Sequence, residues 1–423
     1  MKILFLTDNF PPESNAPASR TYEHCIEWLK KGAEVTVITC APNYPKGKVY
    51  PGYKNKLYQT EMMDGIKVIR VWTYVTPNRG LFRRSLDYLS FCISAFFASL
   101  FVRTDIIIAT SPQLFAALGG WLSAFCKRKP WIMEIRDLWP ESIKAVEAVN
   151  ESRILNWLDK LVLFLYRRAT RIVVVTDSFK RSLIADGIDA AKIEIVKNGV
   201  QMSKYQKRPK SEQLVQRLGL QNKFVVAYIG THGMAHKLDF IVDCAAEVDD
   251  PAIHFLFLGE GAMKGRLKRK VAQLQLANIT ILDAVSKQEV PEYIALSDVA
   301  LVPLRKKDTF KTVIPSKIFE NAAMARPILL GVDGEARQII EFYKAGLYFE
   351  PEDKASFLQQ LHTIKNNKEV YEQCQQGTQH LAQAFDRQAL ALKMYGYIED
   401  IVLRGWPVSE NQDSVVKVEK KAL

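Results

Sequence analysis

The segment "TDNFPPESNAPASRTYEHCIEWLKKGAEVTVIT" (Thr7–Thr39) completes one apolar run, Lys2–Thr7, and ends in another, Glu34–Thr39. Between the two runs lie a proline-rich loop and a stretch whose apolar residues follow helical spacing, so the pattern is strand, loop, helix, strand. Two strands joined through a crossover helix run parallel in one sheet. The segment therefore predicts an α/β protein with a parallel sheet.

The same alternation continues along the chain. Before residue 200 it adds the strand-like runs Lys67–Trp72, Asp105–Ala109, Trp131–Ile135, Arg171–Thr176 and Ile193–Lys197. After the polar link "QMSKYQKRPKSEQ" it restarts with Phe224–Ile229, His254–Leu258, Ile279–Leu282, Val299–Val302, Pro327–Gly331 and Leu347–Phe349. We expect two Rossmann-like, doubly wound domains, residues 1–200 and 201–385, facing across a cleft. A helix at 386–405 and a disordered tail at 406–423 complete the prediction.

Composition limits the class of protein. The chain has 423 residues, too many for one core, and its 48% hydrophobic and 25% charged residues are ordinary for a folded soluble protein. The six cysteines include no C-x-x-C pair and no metal-ligand spacing, which favours a reducing cytosol and argues against a metal site. The first apolar run is too short for a signal peptide.

The positive charge is concentrated in the first half of the chain. Residues 1–200 contain 28 Lys and Arg against 19 Asp and Glu, so they carry +9 of the net +12. A basic domain can bind nucleic acid or anionic lipid. No stacking aromatic residues alternate with the basic ones, so we expect no nucleic acid partner.

The stretch "RGLFRRSLDYLSFCISAFFASLFVR" (Arg79–Arg103) favours lipid. Its apolar core, Leu86–Val102, is near the lower limit for spanning a bilayer and contains Asp87. A buried crossover helix and an interfacial helix anchored by Arg79, Arg83 and Arg84 are equally good interpretations, and a transmembrane span is the weakest.

Polar residues follow several strands at the edge where open α/β sheets bind ligands. Asn15, Ala16 and Arg20 lie at the start of the first predicted helix, although a simple strand–helix turn explains them equally well. In "MEIRDLWPES", Arg136, Asp137 and Glu141 follow a strand. Structural Arg–Asp pairing competes with a site there, but the density of polar groups favours the site.

Two glycine-bearing turns follow strands of the second domain. The first, in "YIGTHGMAHKLD", contains Gly230 and Gly233 and then His236, whose ring could offer charge to a phosphate. The second, "LGEGAMKGR", contains Gly259 and Gly261. One such turn is weak evidence, but two in one domain favour a nucleoside diphosphate site.

The segment "PSKIFENAAMARPILL" (Pro315–Leu330) places Ser316 and Lys317 at the start of a helix and Glu320 one turn later. Backbone N–H groups and an ammonium suit a diphosphate, and an ionised carboxylate can accept from both hydroxyls of a ribose. Taken alone, the segment fits ordinary N-terminal capping, worth a few tenths of a kcal/mol.

Together the blocks "PPESNAPASRTYEH", "IRDLWPES", "KNGV", "YIGTHGMAHKLD" and "PSKIFENAAMARPIL…GVDGEA" resemble GT-B-fold nucleotide-sugar glycosyltransferases of the retaining family 4 type. The resemblance spans residues 1 to about 385 and is greatest to the O-antigen and capsule subgroup that includes L-fucosamine transferases.

The resemblance implies site residues. Glu320 would bind the donor ribose, Lys317 and the Gly230 turn the diphosphate, and Glu335 would lie near the donor sugar or its nucleotide. The Asn15–Arg20 loop and Arg136–Asp137 would face donor sugar and acceptor, with Asp137 orienting the acceptor.

The chain also departs from the family pattern. Thr312 replaces the first glutamate of the E-x7-E motif, and Thr231 and His236 replace a glycine-Arg…Lys pair. In addition, Arg136 stands where histidine is frequent.

The resemblance further implies a retaining, metal-independent transfer from a nucleoside-diphosphate sugar, UDP-linked, to a polyprenyl-diphosphate-linked acceptor. No cofactor is expected. The protein would act as a peripheral cytoplasmic enzyme at the inner face of the membrane. Two other classes share the features above: a non-hydrolysing nucleotide-sugar 2-epimerase and a non-catalytic nucleotide-sugar-binding protein.

Overall fold

The computed structural model describes residues 1–13, 15–44, 46–76, 81–111, 114–139 and 153–404. Arg79, Glu141 and the tail at 406–423 lie outside these residues. Within them the first domain contains a sheet of the strands β1 Lys2–Leu6, β2 Glu34–Cys40, β3 Tyr58–Met63, β4 Ile66–Val71, β5 Ile106–Thr110, β6 Trp131–Ile135, β7 Arg171–Val174 and β8 Ile193–Ile195. Its helices are α1 Ala16–Lys30, α2 Leu81–Leu100, α3 Leu114–Lys127, α4 Arg153–Arg168 and α5 Asp177–Ala185.

The first sheet has the strand order β3-β4-β2-β1-β5-β6-β7-β8. The order reverses direction at β1, and all pairs are parallel except β3 with β4. β3 was not predicted, because "YQTEMM" alternates half-exposed and exposed residues at the sheet edge and lacks an apolar run. The parallel strands are almost fully buried, as expected for a sheet covered on both faces.

The second domain has an all-parallel sheet of the strands β9 Phe224–Ile229, β10 Ile253–Leu258, β11 Ile279–Leu282, β12 Val299–Pro303, β13 Ile328–Gly331 and β14 Gly346–Tyr348. Their order is β11-β10-β9-β12-β13-β14. Its helices are α6 Glu212–Arg217, α7 Leu238–Ala245, α8 Lys264–Gln273, α9 Val290–Leu296, α10 Lys317–Ala323, α11 Glu335–Tyr343, α12 Lys354–Asn366 and α13 Lys368–Ala384. The two parallel-sheet domains are as predicted.

The last helix, α14 Arg387–Arg404, returns to the first domain. Met394 and Ile398 belong to the hydrophobic core beneath β1 and β2, and the indole N–H of Trp28 donates to Ala391 O at 2.9 Å. The two connections between domains meet where Val200 N donates to Phe385 O and Arg387 N donates to Val200 O. A helix predicted as a separate element is therefore part of the first domain.

Helix α2 presents two different faces. Phe91, Cys92 and Ala95 are buried against α3 and the sheet, whereas Ile93 and Phe97 are about half exposed. Among the described residues, no helix has the length and apolar character needed to cross a membrane. The buried face of α2 fits the crossover interpretation, and contact of its exposed apolar face with a membrane stays a prediction.

Candidate active site

The two glycine turns of the second domain pack against each other at the ends of β9 and β10. Gly230 N donates to Leu258 O at 2.9 Å, and His232 N donates to Glu260 O at 2.8 Å. A Cβ atom on Gly259 would lie 1.8 Å from Gly230 O, and one on Gly261 would lie 2.4 Å from His232 O. Both glycines have positive φ angles, 152° and 156°. Only residues without a side chain allow this approach, which leaves an open backbone surface at the edge of the sheet.

Lys317 is the first residue of α10 and points at this surface. Its Nζ lies 3.8 Å from the ring centroid of Tyr228, and a Cβ on Gly230 would be 3.0 Å from it. Burial lowers the pKa of Lys317 to about 7, although Glu320 acts in the opposite direction. Within the described part of the chain this ammonium forms no ion pair. It is therefore available to an anionic ligand, and its role at a diphosphate stays a prediction.

Two histidine rings surround Tyr228 and remain neutral. Burial lowers the pKa of His236 to about 3 and that of His232 to about 4, and Lys317 adds to both shifts. The rings lie 5.6 Å and 5.9 Å from that of Tyr228. His236 can exchange a hydrogen bond with a ligand but brings no positive charge near neutral pH, contrary to the sequence expectation. Thr231 is exposed next to it, and its carbonyl accepts from the Tyr228 hydroxyl at 2.7 Å.

Glu320 lies one turn after Lys317, half-buried on the cleft side of α10. Burial raises its pKa, while Lys287, Arg387 and Lys317 lower it, and the Tyr205 hydroxyl is hydrogen-bonded to it. Sequence reasoning missed both Tyr205 and Lys287. Lys287 follows β11, so its place at the ligand edge of the sheet was the available signal. Ser316 precedes α10 and makes no side-chain cap.

Three groups join the domains across the cleft. Lys287 Nζ donates to the hydroxyl of Ser19, near the start of α1. The buried Glu335 carboxylate accepts from Asp177 N and Ser178 N, both at 2.9 Å, at the start of α5. Lys197 Nζ lies 3.3 Å from the same carboxylate. Glu335, expected near the donor, thus binds the first domain.

The Asn15–Arg20 loop is held by internal contacts. Asn15 caps α1 by accepting from Ala18 N at 2.9 Å, and Ala16 is the first residue of the helix. Arg20 is almost completely buried and donates to Glu134, Val196 O, Lys197 O and Asn198. These contacts account for Arg20 as a structural residue that ties β6 to the end of β8. Its predicted contact with donor sugar or acceptor is not among them.

Arg136 and Asp137 follow β6 at the cleft edge of the first sheet. The main-chain N–H of Arg136 donates to Ser111 Oγ at 3.2 Å, but its guanidinium has no partner among the described residues. Burial lowers its pKa to about 10. Burial raises the pKa of Asp137 to about 6, and Arg136 opposes this shift. Arg387 perturbs the pKa values of both Arg136 and Glu320, so the candidate residues of the two domains share one cleft.

Family models match both domains. Residues 18–204 match Glycosyltransferase Family 4, and residues 223–367 match Glycosyl transferases group 1. The chain is 21% identical over 291 residues to the probable glycosyltransferase WbjE of Pseudomonas aeruginosa, covering 68% of this chain and 72% of that protein. It is 30% identical over 140 residues to the putative teichuronic acid biosynthesis glycosyltransferase TuaH of Bacillus subtilis, covering 33% and 34%.

Solved structures agree on the fold. HepE of Anabaena in complex with UDP-glucose superposes with a TM-score of 0.71 at 16% identity, covering 95% of this chain and 100% of that one. Sucrose-phosphate synthase of Thermosynechococcus elongatus gives 0.75 at 14% identity, covering 96% and 100%. The chain therefore has the GT-B fold, with a segment similar to glycosyltransferase family 4 in its first domain and a segment similar to group 1 glycosyltransferases in its second.

Proposed function

We propose that this protein is a retaining glycosyltransferase that moves a sugar from a UDP-linked donor to a lipid-linked acceptor of a growing surface polysaccharide. The observation that carries the proposal is the unpaired ammonium of Lys317 against the open glycine turns, with Glu320 one helical turn away. The relatives WbjE and TuaH support a glycosyltransferase, and the UDP-glucose complex of HepE supports the donor class. An N-acetylated deoxy sugar follows from the sequence resemblance alone.

The chemistry follows from where charge develops. As the bond from the sugar carbon to the phosphate oxygen breaks, negative charge grows on the departing diphosphate, and the Lys317 ammonium at the start of α10 stabilises it. The acceptor hydroxyl attacks the same face of the sugar, and its proton passes to the departing phosphate oxygen. Asp137 orients that hydroxyl, and Glu320 accepts from the ribose hydroxyls. Because the ammonium supplies the positive charge, we propose that the transfer needs no metal.

Incubation with UDP-, GDP- and TDP-sugars, with and without polyprenyl-diphosphate-linked acceptors, tests the proposal. We expect acceptor-dependent release of the nucleotide, a product with the anomeric configuration of the donor by NMR, and no loss with a chelator. An isomerised donor without acceptor would identify the epimerase, and binding without turnover would identify a binding protein. Inversion of the anomeric configuration would contradict the retaining mechanism. Inhibition by a chelator would contradict the metal-independent transfer.

We also propose that the first domain docks on the cytoplasmic face of an anionic bilayer through α2. Its outer face carries a stripe of exposed apolar residues: Leu86, Leu89, Ile93, Phe97 and, just beyond the helix, Phe101. Arg83 and Arg103 are exposed at the two ends of the stripe. Apolar area flanked by basic residues matches an anionic interface, where each basic residue contributes ~1 kcal/mol.

Vesicle sedimentation tests the docking surface. The wild type should pellet with anionic vesicles at low salt and be released by high salt and by the combined substitution of Arg79, Arg83 and Arg84 by Ala. Phe97→Asp should weaken binding, whereas Phe342→Asp, at a more exposed position on the second domain, should not. Equal sedimentation with neutral and anionic vesicles, or no sedimentation with either kind, would contradict the proposal.

A further inference from the structure

Arg136 differs from the neighbouring Arg20 in that its side chain has no hydrogen-bond partner among the described residues. Arg20 satisfies its guanidinium with one carboxylate and three other acceptors. Arg136 lies beside it, yet its Nη1 is buried and unpaired, and no described residue accepts a hydrogen bond from its side chain. An unsatisfied buried charge is costly unless a ligand completes it.

Arg136 lies in a cluster of three arginines. Arg20, Arg136 and Arg387 all act on the buried His24 and, after burial itself, lower its pKa. Glu23 is paired with Arg387, and Glu134 is paired with Arg20 through Oε1. Glu134 Oε2 has no hydrogen-bond partner among the described residues, and neither Glu134 nor Asp137 forms an ion pair with Arg136 there.

The charges around Arg136 extend toward the proposed donor site. Arg387, which is paired with Glu23, acts on the pKa values of both Arg136 and Glu320. Lys317 lies one helical turn before Glu320, beside the glycine turns. Among the described residues, Arg136 in the first domain and Lys317 in the second have no ion-pair partner.

We propose that Arg136 forms a second anion subsite, distinct from the diphosphate site at Lys317, which binds a carboxylate or phosphate carried by the transferred sugar or by the acceptor. The planar guanidinium fork suits both anions through paired hydrogen bonds, which lysine cannot reproduce. This inference rests on the proposed function and specifies the substrate class as anionic at the sugar end of the cleft.

Calorimetric titration of Arg136→Gln, Arg136→Lys and wild type tests the subsite with two matched pairs of probes. UDP-glucuronic acid and UDP-glucose differ by one carboxylate on the sugar. A short-chain polyprenyl diphosphate and the corresponding polyprenol differ by the acceptor anion. UDP alone reports the site at Lys317, and Arg167→Gln, an exposed arginine of the same domain on α4, controls for general charge.

We expect Arg136→Gln to weaken one charged probe at least tenfold, and to leave its uncharged counterpart and UDP within twofold. The affinity of Arg136→Lys for the charged probe should lie between those of Arg136→Gln and wild type, and Arg167→Gln should match wild type. Loss confined to UDP-glucuronic acid assigns the anion to the sugar, and loss confined to the polyprenyl diphosphate assigns it to the acceptor. The subsite is overturned if Arg136→Gln keeps wild-type affinity for both charged probes. It is also overturned if Arg136→Gln loses as much affinity for UDP without a sugar as for the charged probe. Failure of the wild type to bind UDP instead overturns the proposed function.

Discussion

The second domain lines the cleft with closely packed backbone, whereas the first domain lines it with charged side chains. In the second domain, Gly259 and Gly261 bring two strand ends into contact, and Lys317 is the main charge beside them. In the first domain, Arg20 and Glu134 form a buried ion pair, and the guanidinium of Arg136 has no partner in the described part of the chain. Backbone groups offer the same surface whatever the side chains, so a site built on them suits the invariant part of a substrate. Side chains can differ in charge and size, so they suit the part that varies.

The largest effect expected from this contrast is on Lys317→Ala. A cation on a departing diphosphate matters most in the transition state, so turnover should fall about 10²–10³-fold, more than donor affinity. Steady-state kinetics with UDP affinity measured in parallel checks this. A raised KM with unchanged turnover would make Lys317 a ground-state contact only, and His236 would become the better candidate.

The next effect tests the backbone contact itself. Gly259→Ala places a methyl group against Gly230 O at a positive φ, so we expect the free energy of unfolding to fall by about 3 kcal/mol or more and UDP binding to be lost. Gly219→Ala is the control, since Gly219 has a φ of 64° but no atom within 4 Å of the added Cβ. It should cost only about 1–2 kcal/mol. Chemical denaturation measures both variants. Equal losses in the free energy of unfolding would show that the positive φ angle, and not the contact with Gly230 O, causes the destabilisation.

Glu320→Ala should weaken UDP binding by ~1.5–3 kcal/mol, the range for hydrogen bonds to a charged group. Glu335→Ala is the comparison across the cleft. Its carboxylate is committed to Asp177 and Ser178, so UDP affinity should stay within twofold while domain association weakens. Calorimetric titration with UDP measures the affinity of both variants. A loss of UDP affinity in Glu335→Ala but not in Glu320→Ala would place the nucleotide at Glu335.

The smallest effect is a dependence on pH. With its pKa lowered to about 7, Lys317 loses its proton as pH rises above 7, so UDP affinity should fall, approaching tenfold per unit, and binding should take up a proton. The unfolded chain keeps that proton to about pH 10.5, so the free energy of unfolding should rise between pH 7 and 10.5. Calorimetric titrations with UDP in buffers of different ionisation enthalpy measure the proton uptake. Lys317→Met should abolish both trends, and a flat wild-type profile would contradict the assignment.

Much of the fold could be predicted because parallel strands buried on both faces are continuous apolar runs. Strand β6 matched its predicted bounds, while the exposed edge strand β3 had no such signal. Lys317 and Glu320 were found because one helix start sets their spacing. Tyr228 lies within an apolar strand, and nothing local shows that its ring meets Lys317. For the same reason, neither the partner of Glu335 nor the missing partner of Arg136 could be predicted, since both depend on how distant segments pack.

The return of α14 to the first domain has a consequence for how the protein is made. The core beneath β1 and β2 stays open at Trp28 until residues 391–401 are available. The second domain is continuous in sequence, from β9 to α13, and all of it emerges from the ribosome earlier. The domain synthesised first is therefore the last to be completed, and a chain stalled before residue 387 carries a finished second domain on an unfinished first one. Limited proteolysis of such a stalled chain should cleave the first domain and spare the second.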